Sequence, residues 1–149
     1  MIKEFVFNNQ KNTIDFSIRL AKILNKKIII TLSGDIAAGK TFICRNIIQY
    51  LLKKDVIVTS PTFNFLNIYV AEDFKIYHYD LYRLKNDNEI FELGFEESLA
   101  NGVVLIEWPE KILYMLPEER ITIHIVKLSS ESRKLTIKLN KDIENSIKV

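Results

Sequence analysis

The sequence contains a single cysteine, Cys44, so no disulfide can form within the chain. One thiol without a cysteine pattern is typical of a protein from a reducing compartment. Cys44 lies in a segment that we predict to be helical, where a lone cysteine usually packs as a small apolar side chain. We therefore do not expect Cys44 to be a catalytic nucleophile.

Long apolar runs are also missing from the sequence. The first segment, MIKEFVFNNQKN, has no apolar stretch of the kind found in a signal peptide. No run elsewhere approaches the roughly 20 apolar residues that a helix needs to span a bilayer. The sequence therefore predicts a cytoplasmic protein without a membrane segment.

Neither an excess of one charge nor a pattern of zinc ligands is present. Lys and Arg total 21 and Asp and Glu total 19, so the net charge is only +2, and the charges are spread along the chain. Such a balance does not favour direct nucleic-acid binding through bulk electrostatics. No group of His and Cys has metal-ligand spacing, which argues against a zinc site.

The composition that is present is that of an ordinary globular protein. Hydrophobic residues make up 48% of the 149 residues, enough for a core that needs no disulfide or metal. Neither repeats nor linkers interrupt the chain. We predict one domain that covers residues 1–149.

The first third of the chain predicts the order helix, strand, glycine loop, helix. Apolar residues at helical spacing indicate a helix over residues 13–24, with Asn12 or Thr13 as its cap. The run KIIITLS, residues 27–33, is apolar and β-branched, which is typical of a strand buried on both faces. A further helix face begins at Lys40.

The remaining segments predict strands with short helices between them. They are a strand in DVIVTSPTF (55–63) that runs into a loop at Ser60 and Pro61, a hairpin of NFLNIYV (64–70) and FKIYHYDLY (74–82), a helical segment over 86–100 broken at Gly94, a strand in GVVLIEWPE (102–110), a helical turn over 110–116, and an antiparallel pair of 121–128 and 133–139. This alternation predicts an α/β fold with a mixed sheet and a C-terminal antiparallel hairpin.

The loop after the strand 27–33 has the spacing G-x-x-x-x-G-K-T of a phosphate-binding loop, or P-loop. Its residues are Gly34, Asp35, Ile36, Ala37, Ala38, Gly39, Lys40 and Thr41. The backbone N–H groups of such a loop turn inward around phosphate oxygens, and Gly39 lets the backbone approach closely. In this pattern Lys40 reaches the β- and γ-phosphates and the Thr41 hydroxyl binds Mg²⁺. The loop predicts an ATP/ADP site and a three-layer, P-loop NTPase-like fold.

Acidic residues near strand ends supply the second part of such a site. Glu107 follows four apolar residues in VVLIEWP, and a carboxylate there is costly to bury unless it meets a cation. We predict that Glu107 binds Mg²⁺, directly or through water. Asp80, in YHYDLYR, is either a second acid on the metal side or the group that positions the attacking water.

Two further polar residues flank Asp80. Strand alternation places His78, Asp80 and Tyr82 on one face of the predicted strand. We expect His78 to make a structural hydrogen bond rather than to act as a base. Arg83 either pairs with Asp80 or contacts a phosphate.

Several motifs occur in a fixed order and at close spacing, namely SGDIAAGKTF, SPTFNFLNIY, YHYDLYRL, ELGFEESL and LIEWPEK. This combination resembles the TsaE (YjeE) family, which are small P-loop ATPases of bacterial tRNA threonylcarbamoyladenosine (t6A) synthesis. The resemblance covers nearly the whole chain and is strongest from Ser33 to Pro117. The sequence departs from the family at Ala37, where Gly is usual, and at Phe42, where a second Thr is usual.

The resemblance implies roles for individual residues. Lys40, Asp80 and Glu107 would be catalytic, and Thr41, Glu107 and Asp80 would lie on the metal side. Nucleotide contacts are implied for the P-loop residues, for Phe42, and, at the base side, for Thr13 and Arg133. A switch and partner surface is implied for Ser60, Pro61, Thr62, Phe63 and Trp108.

The resemblance also implies an ATPase, stimulated by partners, that acts as a nucleotide switch on the TsaD and TsaB proteins and reaches tRNA only through them. One alternative is a small P-loop kinase for a small molecule, although the segment from Asn86 to Glu107 has no Arg for a lid. Another is a nucleotide-dependent tRNA-binding or scaffold protein, although the aromatic-basic pattern of RNA-binding surfaces is missing.

Overall fold

The computed structural model describes residues 1–24 and 27–144, so the last five residues of the predicted domain, 145–149, lie outside the described part. The strands in the described part are β1 Ile2–Phe7, β2 Ile28–Gly34, β3 Leu66–Val70, β4 Lys75–Asp80, β5 Gly102–Glu107, β6 Ile121–Lys127 and β7 Arg133–Lys138. The helices there are α1 Gln10–Ala21, α2 Lys40–Leu52, α3 Glu89–Glu92, α4 Phe95–Asn101, α5 Lys141–Glu144 and a 3₁₀ helix at Pro109–Met115. No helix within these residues has both the length and the apolar character that crossing a bilayer requires.

The strands form one mixed sheet in the order β1-β7-β6-β2-β5-β4-β3. β2 is parallel to β5 and β6, and β4 is parallel to β5, whereas the outer pairs β1–β7, β6–β7 and β3–β4 are antiparallel. The β6–β7 pair confirms the predicted closing hairpin. Because parallel strands end at the same edge of a sheet, Gly34, Asp80 and Glu107 come to one edge, where ligands of α/β proteins bind.

Both faces of the sheet are covered, which makes three layers. β5 is buried along its whole length. Val103 and Leu105 belong to a core that includes residues of α1 and α2, and Val104 and Ile106 belong to a second core with residues of α3, α4 and the 3₁₀ helix. Alternate side chains of one strand thus serve opposite layers. The predicted three-layer α/β fold is confirmed.

Helix α1 begins earlier than the sequence suggests. The side chain of Asn9 accepts a hydrogen bond from the backbone N–H of Asn12 at 3.0 Å, which makes Asn9 the cap. The prediction of Asn12 or Thr13 as cap is wrong, because periodicity alone does not choose among the several Asn residues before the helix. Thr13 instead lies inside α1 and is buried.

The predicted strand in DVIVTSPTF is also wrong. Residues 55–61, all in the described part of the chain, carry no regular secondary structure. Side chains of α2 bond their backbone instead: Arg45 Nε donates to the carbonyl of Val58 at 3.3 Å, and Gln49 Nε2 donates to that of Val56 at 3.1 Å. The seventh strand is supplied by β1, which the sequence reading missed and which pairs with β7.

Candidate nucleotide-binding site

The P-loop connects β2 to α2 at the carboxyl edge of the sheet. Gly34 has φ +144° and Gly39 has φ +117°, a region that favours glycine. A Cβ atom at Gly34 would lie 2.4 Å from the backbone oxygen of Ile125, so space also requires glycine there. α2 begins at Lys40, and the first N–H groups of a helix have no partner within it, which suits them to bind an anion.

A cavity of about 360 Å³ lies over this loop. It is lined by Ile36, Ala37, Gly39, Lys40, Thr41, Phe42, Ser60, Thr62, Asp80, Tyr82, Glu107 and Trp108. These residues come from the P-loop, the segment before β3, the end of β4 and the end of β5. The volume is within the usual range for a small-molecule site. The structure thus brings together around one cavity most of the residues that the sequence predicted, motif by motif, for a nucleotide and metal site.

A second cavity of about 210 Å³ adjoins the first through Ala37, Gly39 and Phe42. Thr13 of α1 and Arg133 of β7 both line it, as do Ala38 and Gln10. Arg133 Nε donates to the carbonyl of Ala38 at 2.7 Å, so this side chain braces the P-loop. The two residues nominated for the base side of a nucleotide therefore share one cavity beside the loop.

Lys40 is held by the loop from which it projects. Its Nζ donates to the carbonyls of Gly34 at 2.6 Å and Asp35 at 2.8 Å, and it lies 4.1 Å from the ring centre of Trp108. Burial lowers the pKa of Lys40, and the nearby carboxylates, with Glu107 foremost, act in the opposite direction. The side chain is 5% exposed, so its charge lies in a partly desolvated site where it acts strongly.

Glu107 connects the P-loop helix to β4. Its Oε1 accepts a hydrogen bond from the Thr41 hydroxyl at 2.8 Å, and its Oε2 lies 2.6 Å from His78 Nε2. Glu107 is 2% exposed. A hydroxyl oxygen and a carboxylate oxygen side by side, at the wall of an open cavity, form a set of hard oxygen donors of the kind that Mg²⁺ prefers.

Asp80 holds the segment that contains the SPTF motif. Its Oδ2 accepts hydrogen bonds from the hydroxyls of Ser60 and of Thr62, the latter at 3.2 Å, and its Oδ1 accepts from the backbone N–H of Tyr82 at 3.0 Å. Asp80 is therefore bonded through both oxygens. Arg83 does not serve as its partner: the guanidinium lies over the Phe63 ring, 4.4 Å from its centre.

The outer part of the SPTF segment faces away from the core. Phe63 is 80% exposed, while Pro61 is buried and its carbonyl accepts from the N–H of Phe65 at 2.8 Å. The rings of Tyr82 and Trp108 lie 4.8 Å apart at the same mouth of the cavity. Tyr82 and Trp108 therefore lie at the opening, and Phe63, which does not line the cavity, is exposed and available to another molecule.

The structure also brings together Cys44, His78 and Glu107, whose possible metal-ligand atoms lie within 4.8 Å of one another. Sequence spacing could not indicate this cluster, because its members come from α2, β4 and β5. Burial raises the pKa of the Cys44 thiol well above its ordinary value, and Glu107 and Asp80 raise it further. A thiol that keeps its proton is a poor metal ligand. We therefore interpret the cluster as a hydrogen-bonded group, in which Glu107 bonds Thr41 and His78, and not as a metal site.

Sequence reasoning missed Tyr82 and Gln10 as cavity residues and did not connect His78 to Glu107. Alternation along β4 does place His78 and Tyr82 on the same face as Asp80. Alternation does not show which strand lies beside β4. In the structure β4 lies parallel to β5, with Asp80 opposite Glu107. A register between strands 20 or more residues apart cannot be taken from either strand alone.

Ala37 has φ +63°, a left-handed conformation that costs alanine about 1–2 kcal/mol. Replacing Ala37 by Gly should therefore raise the free energy of unfolding by about 0.5–1 kcal/mol, after the larger chain entropy of glycine is subtracted. Urea unfolding measures this. Ala38→Gly is the matched control, since Ala38 is buried and has no positive φ, and it should lose stability. Equal losses in both variants would contradict the strain at Ala37.

Comparison with known proteins places this site in a family. Residues 7–135 match the family model described as threonylcarbamoyl adenosine biosynthesis protein TsaE. The chain belongs to the TsaE family. The family resemblance carried by the P-loop, SPTF and IEWPE motifs is thereby confirmed.

Individual relatives in the TsaE family agree with this. A protein from Rickettsia typhi named tRNA threonylcarbamoyladenosine biosynthesis protein TsaE is 44% identical over 131 residues, which are 88% of this chain and 91% of the relative. A protein of the same name from Bacillus subtilis is 36% identical over 109 residues, 72% of this chain and 67% of the relative. The crystal structure of YdiB from Bacillus subtilis is similar over 97% of this chain and 90% of its own, with a TM-score of 0.76 and 26% identity.

Proposed function

We propose that this chain is an ATPase of tRNA t6A synthesis that acts as a nucleotide switch on TsaD and TsaB. Membership of the TsaE family supports the pathway. The observation that carries the proposal is the meeting of Lys40, Thr41, Asp80 and Glu107 with the SPTF segment around one cavity. We also propose a cytoplasmic location and a single domain over residues 1–149.

The residues around the cavity fit a nucleotide with Mg²⁺. Glycine at positions 34 and 39 leaves the backbone of the P-loop in the conformation that a phosphate cradle needs. Thr41 and Glu107 offer neighbouring oxygens for the metal, and bound Mg²⁺ would neutralise negative charge on the phosphates. Lys40 would stabilise charge that develops on the γ-phosphate, with the first N–H groups of α2 beside it.

Asp80 would connect hydrolysis to the switch. We assign it to orienting the attacking water, on the side of the cavity that faces Ser60 and Thr62. Its Oδ2 accepts from the hydroxyls of Ser60 and Thr62, so turning Oδ2 to the water would leave these hydroxyls without that acceptor, while Oδ1 stays bonded to the N–H of Tyr82. The position of the SPTF segment would thereby depend on what occupies the cavity, as in order–disorder switches.

Phe63, exposed in this segment, would then report the switch to the partner proteins, together with Trp108 at the cavity. The test is a pull-down of TsaD and TsaB by this chain with and without ATP, with the ATPase rate measured in each mixture. We expect association that depends on ATP and a higher rate in the complex. Phe63→Ser should weaken association, whereas Leu128→Ser, at an exposed apolar residue after β6, should not.

Two results would overturn the proposed function. One is the transfer of phosphate from ATP to a small-molecule acceptor instead of water, which would establish the kinase alternative. The other is an ATPase rate and a TsaD–TsaB association that are both independent of nucleotide. Tight, salt-sensitive binding of tRNA by this chain alone would favour the tRNA-binding alternative instead.

A further inference from the structure

His78 is buried on the strand next to the edge of the sheet, yet among the described residues its side chain makes only one hydrogen bond. It lies on β4 and is 0% exposed. Its Nε2 is 2.6 Å from Glu107 Oε2, while its Nδ1 has no hydrogen-bond partner among the described residues. A buried polar atom without a partner is unfavourable, so packing alone would be better served by an apolar side chain here. The contact with Glu107 is what the imidazole adds.

The direction of that hydrogen bond follows from its acceptor. An ionised carboxylate has only acceptor oxygens, so Nε2 must carry the proton and donate to Oε2. The other oxygen, Oε1, accepts from the Thr41 hydroxyl at 2.8 Å. Each carboxylate oxygen of Glu107 thus takes part in one hydrogen bond. Thr41 and Glu107 both line the cavity, so Oε1, the oxygen beside Thr41, is the one on the cavity side.

His78 itself does not line either cavity beside the P-loop. It therefore acts on a ligand only through Glu107. Without the donor at Nε2, the Glu107 carboxylate would lose the bond that sets its rotation, and Oε1 would not stay aligned with Thr41. Groups that orient a metal ligand in this way typically change metal affinity by a factor of 10 to 100 when they are removed.

We propose that His78 is a positioning residue for Mg²⁺, whose Nε2–H group holds Glu107 Oε2 so that Oε1 stays beside Thr41. This inference rests on the proposed metal role of Thr41 and Glu107. It adds a residue that touches neither metal nor nucleotide, and it explains why an imidazole with an unpartnered nitrogen is kept in the sheet.

The test uses fluorescent ADP and a Mg²⁺ titration, so that no turnover is needed. His78→Leu should raise the Mg²⁺ concentration that half-enhances ADP binding by about tenfold or more. Its ADP affinity in EDTA should match that of the unchanged protein, because the P-loop is untouched. His78→Gln should recover most of the Mg²⁺ effect, since its amide N–H can reach Glu107, whereas the shorter His78→Asn should not.

The His78→Asn and His78→Gln pair decides the question even where His78→Leu does not fold. Ser98→Ala, at a buried polar residue on α4, is the control for general loss of stability and should leave the Mg²⁺ midpoint unchanged. A midpoint within about twofold of the unchanged protein in both His78→Leu and His78→Asn would overturn the proposal. So would a His78→Gln protein no better than His78→Asn.

Failure of this inference is separable from failure of the proposed function. If the unchanged chain binds ADP with Mg²⁺ but hydrolyses no ATP with or without TsaD and TsaB, the proposed ATPase is wrong and the His78 comparison still gives its answer. If Mg²⁺ has no effect on ADP binding by the unchanged chain, the His78 proposal is wrong, while the ATPase assay still tests the function.

Discussion

Lys40→Ala should reduce the rate of ATP hydrolysis by at least about 100-fold, the usual effect of removing one group that stabilises transition-state charge. The effect is expected to be this large because Lys40 is almost fully buried, between two backbone carbonyls and the face of Trp108. A water molecule that took its place would not carry the charge. The measurement is phosphate release at saturating ATP, with the TsaD and TsaB proteins present.

The fold should survive this substitution with a modest loss of stability. The carbonyls of Gly34 and Asp35 would lose their donor, at a cost of about 1–2 kcal/mol, although the cavity allows water to reach them. Lys54→Ala is the matched control, since Lys54 is exposed beyond the end of α2, and it should hydrolyse ATP normally. A Lys40→Ala protein that turned over ATP at the ordinary rate would show that the P-loop is not the site of hydrolysis.

Glu107→Ala should remove most of the dependence of nucleotide binding and hydrolysis on Mg²⁺. Its carboxylate is the acceptor for Thr41 and for His78, so one substitution would disorder the oxygen pair that we assign to the metal. It would also remove the hydrogen bond that Glu107 gives the buried His78 side chain, at a cost of about 1–3 kcal/mol. We therefore expect a weakened Mg²⁺ titration, a hydrolysis rate lower by about 100-fold, and a lower melting temperature.

The matched control for Glu107 is Glu118, which is exposed and does not line the cavity over the P-loop. Glu118→Ala should keep both the Mg²⁺ titration and the melting temperature. A Glu107→Ala protein whose Mg²⁺ titration is unchanged would remove Glu107 from the metal role. If only its melting temperature fell, Glu107 would be a structural residue that bonds Thr41 and His78 and nothing more.

Predictions from the sequence succeeded where the signal is local. The P-loop, the strand before it and the helix after it are adjacent in the chain, and each has its own pattern of apolar residues and glycines. The β3–β4 hairpin and the break at Gly94, which has φ +70°, follow from short-range signals of the same kind. Predictions failed at residues 55–59 and at β1, because whether such a segment forms a strand depends on whether another strand is available to pair with it.

Two positions show why composition cannot settle such cases. The VIV run at residues 56–58 has strong strand propensity, yet side chains from α2 take its carbonyls, so it joins no ladder. Strand propensity describes how well a residue fits a sheet that is already there. Ala37 is similar: the sequence shows an alanine where glycine is usual, and only the backbone angle shows that it is strained.

By itself, the sequence determines that the chain carries a phosphate-binding loop between a buried strand and a helix, because these features are set by neighbouring residues. The TsaE resemblance also needs no more than the order of the motifs. Only the tertiary structure decides that Glu107 stands between Thr41 and His78, and that Asp80 holds Ser60 and Thr62. These contacts depend on the order and register of β2, β5 and β4, which long-range packing chooses.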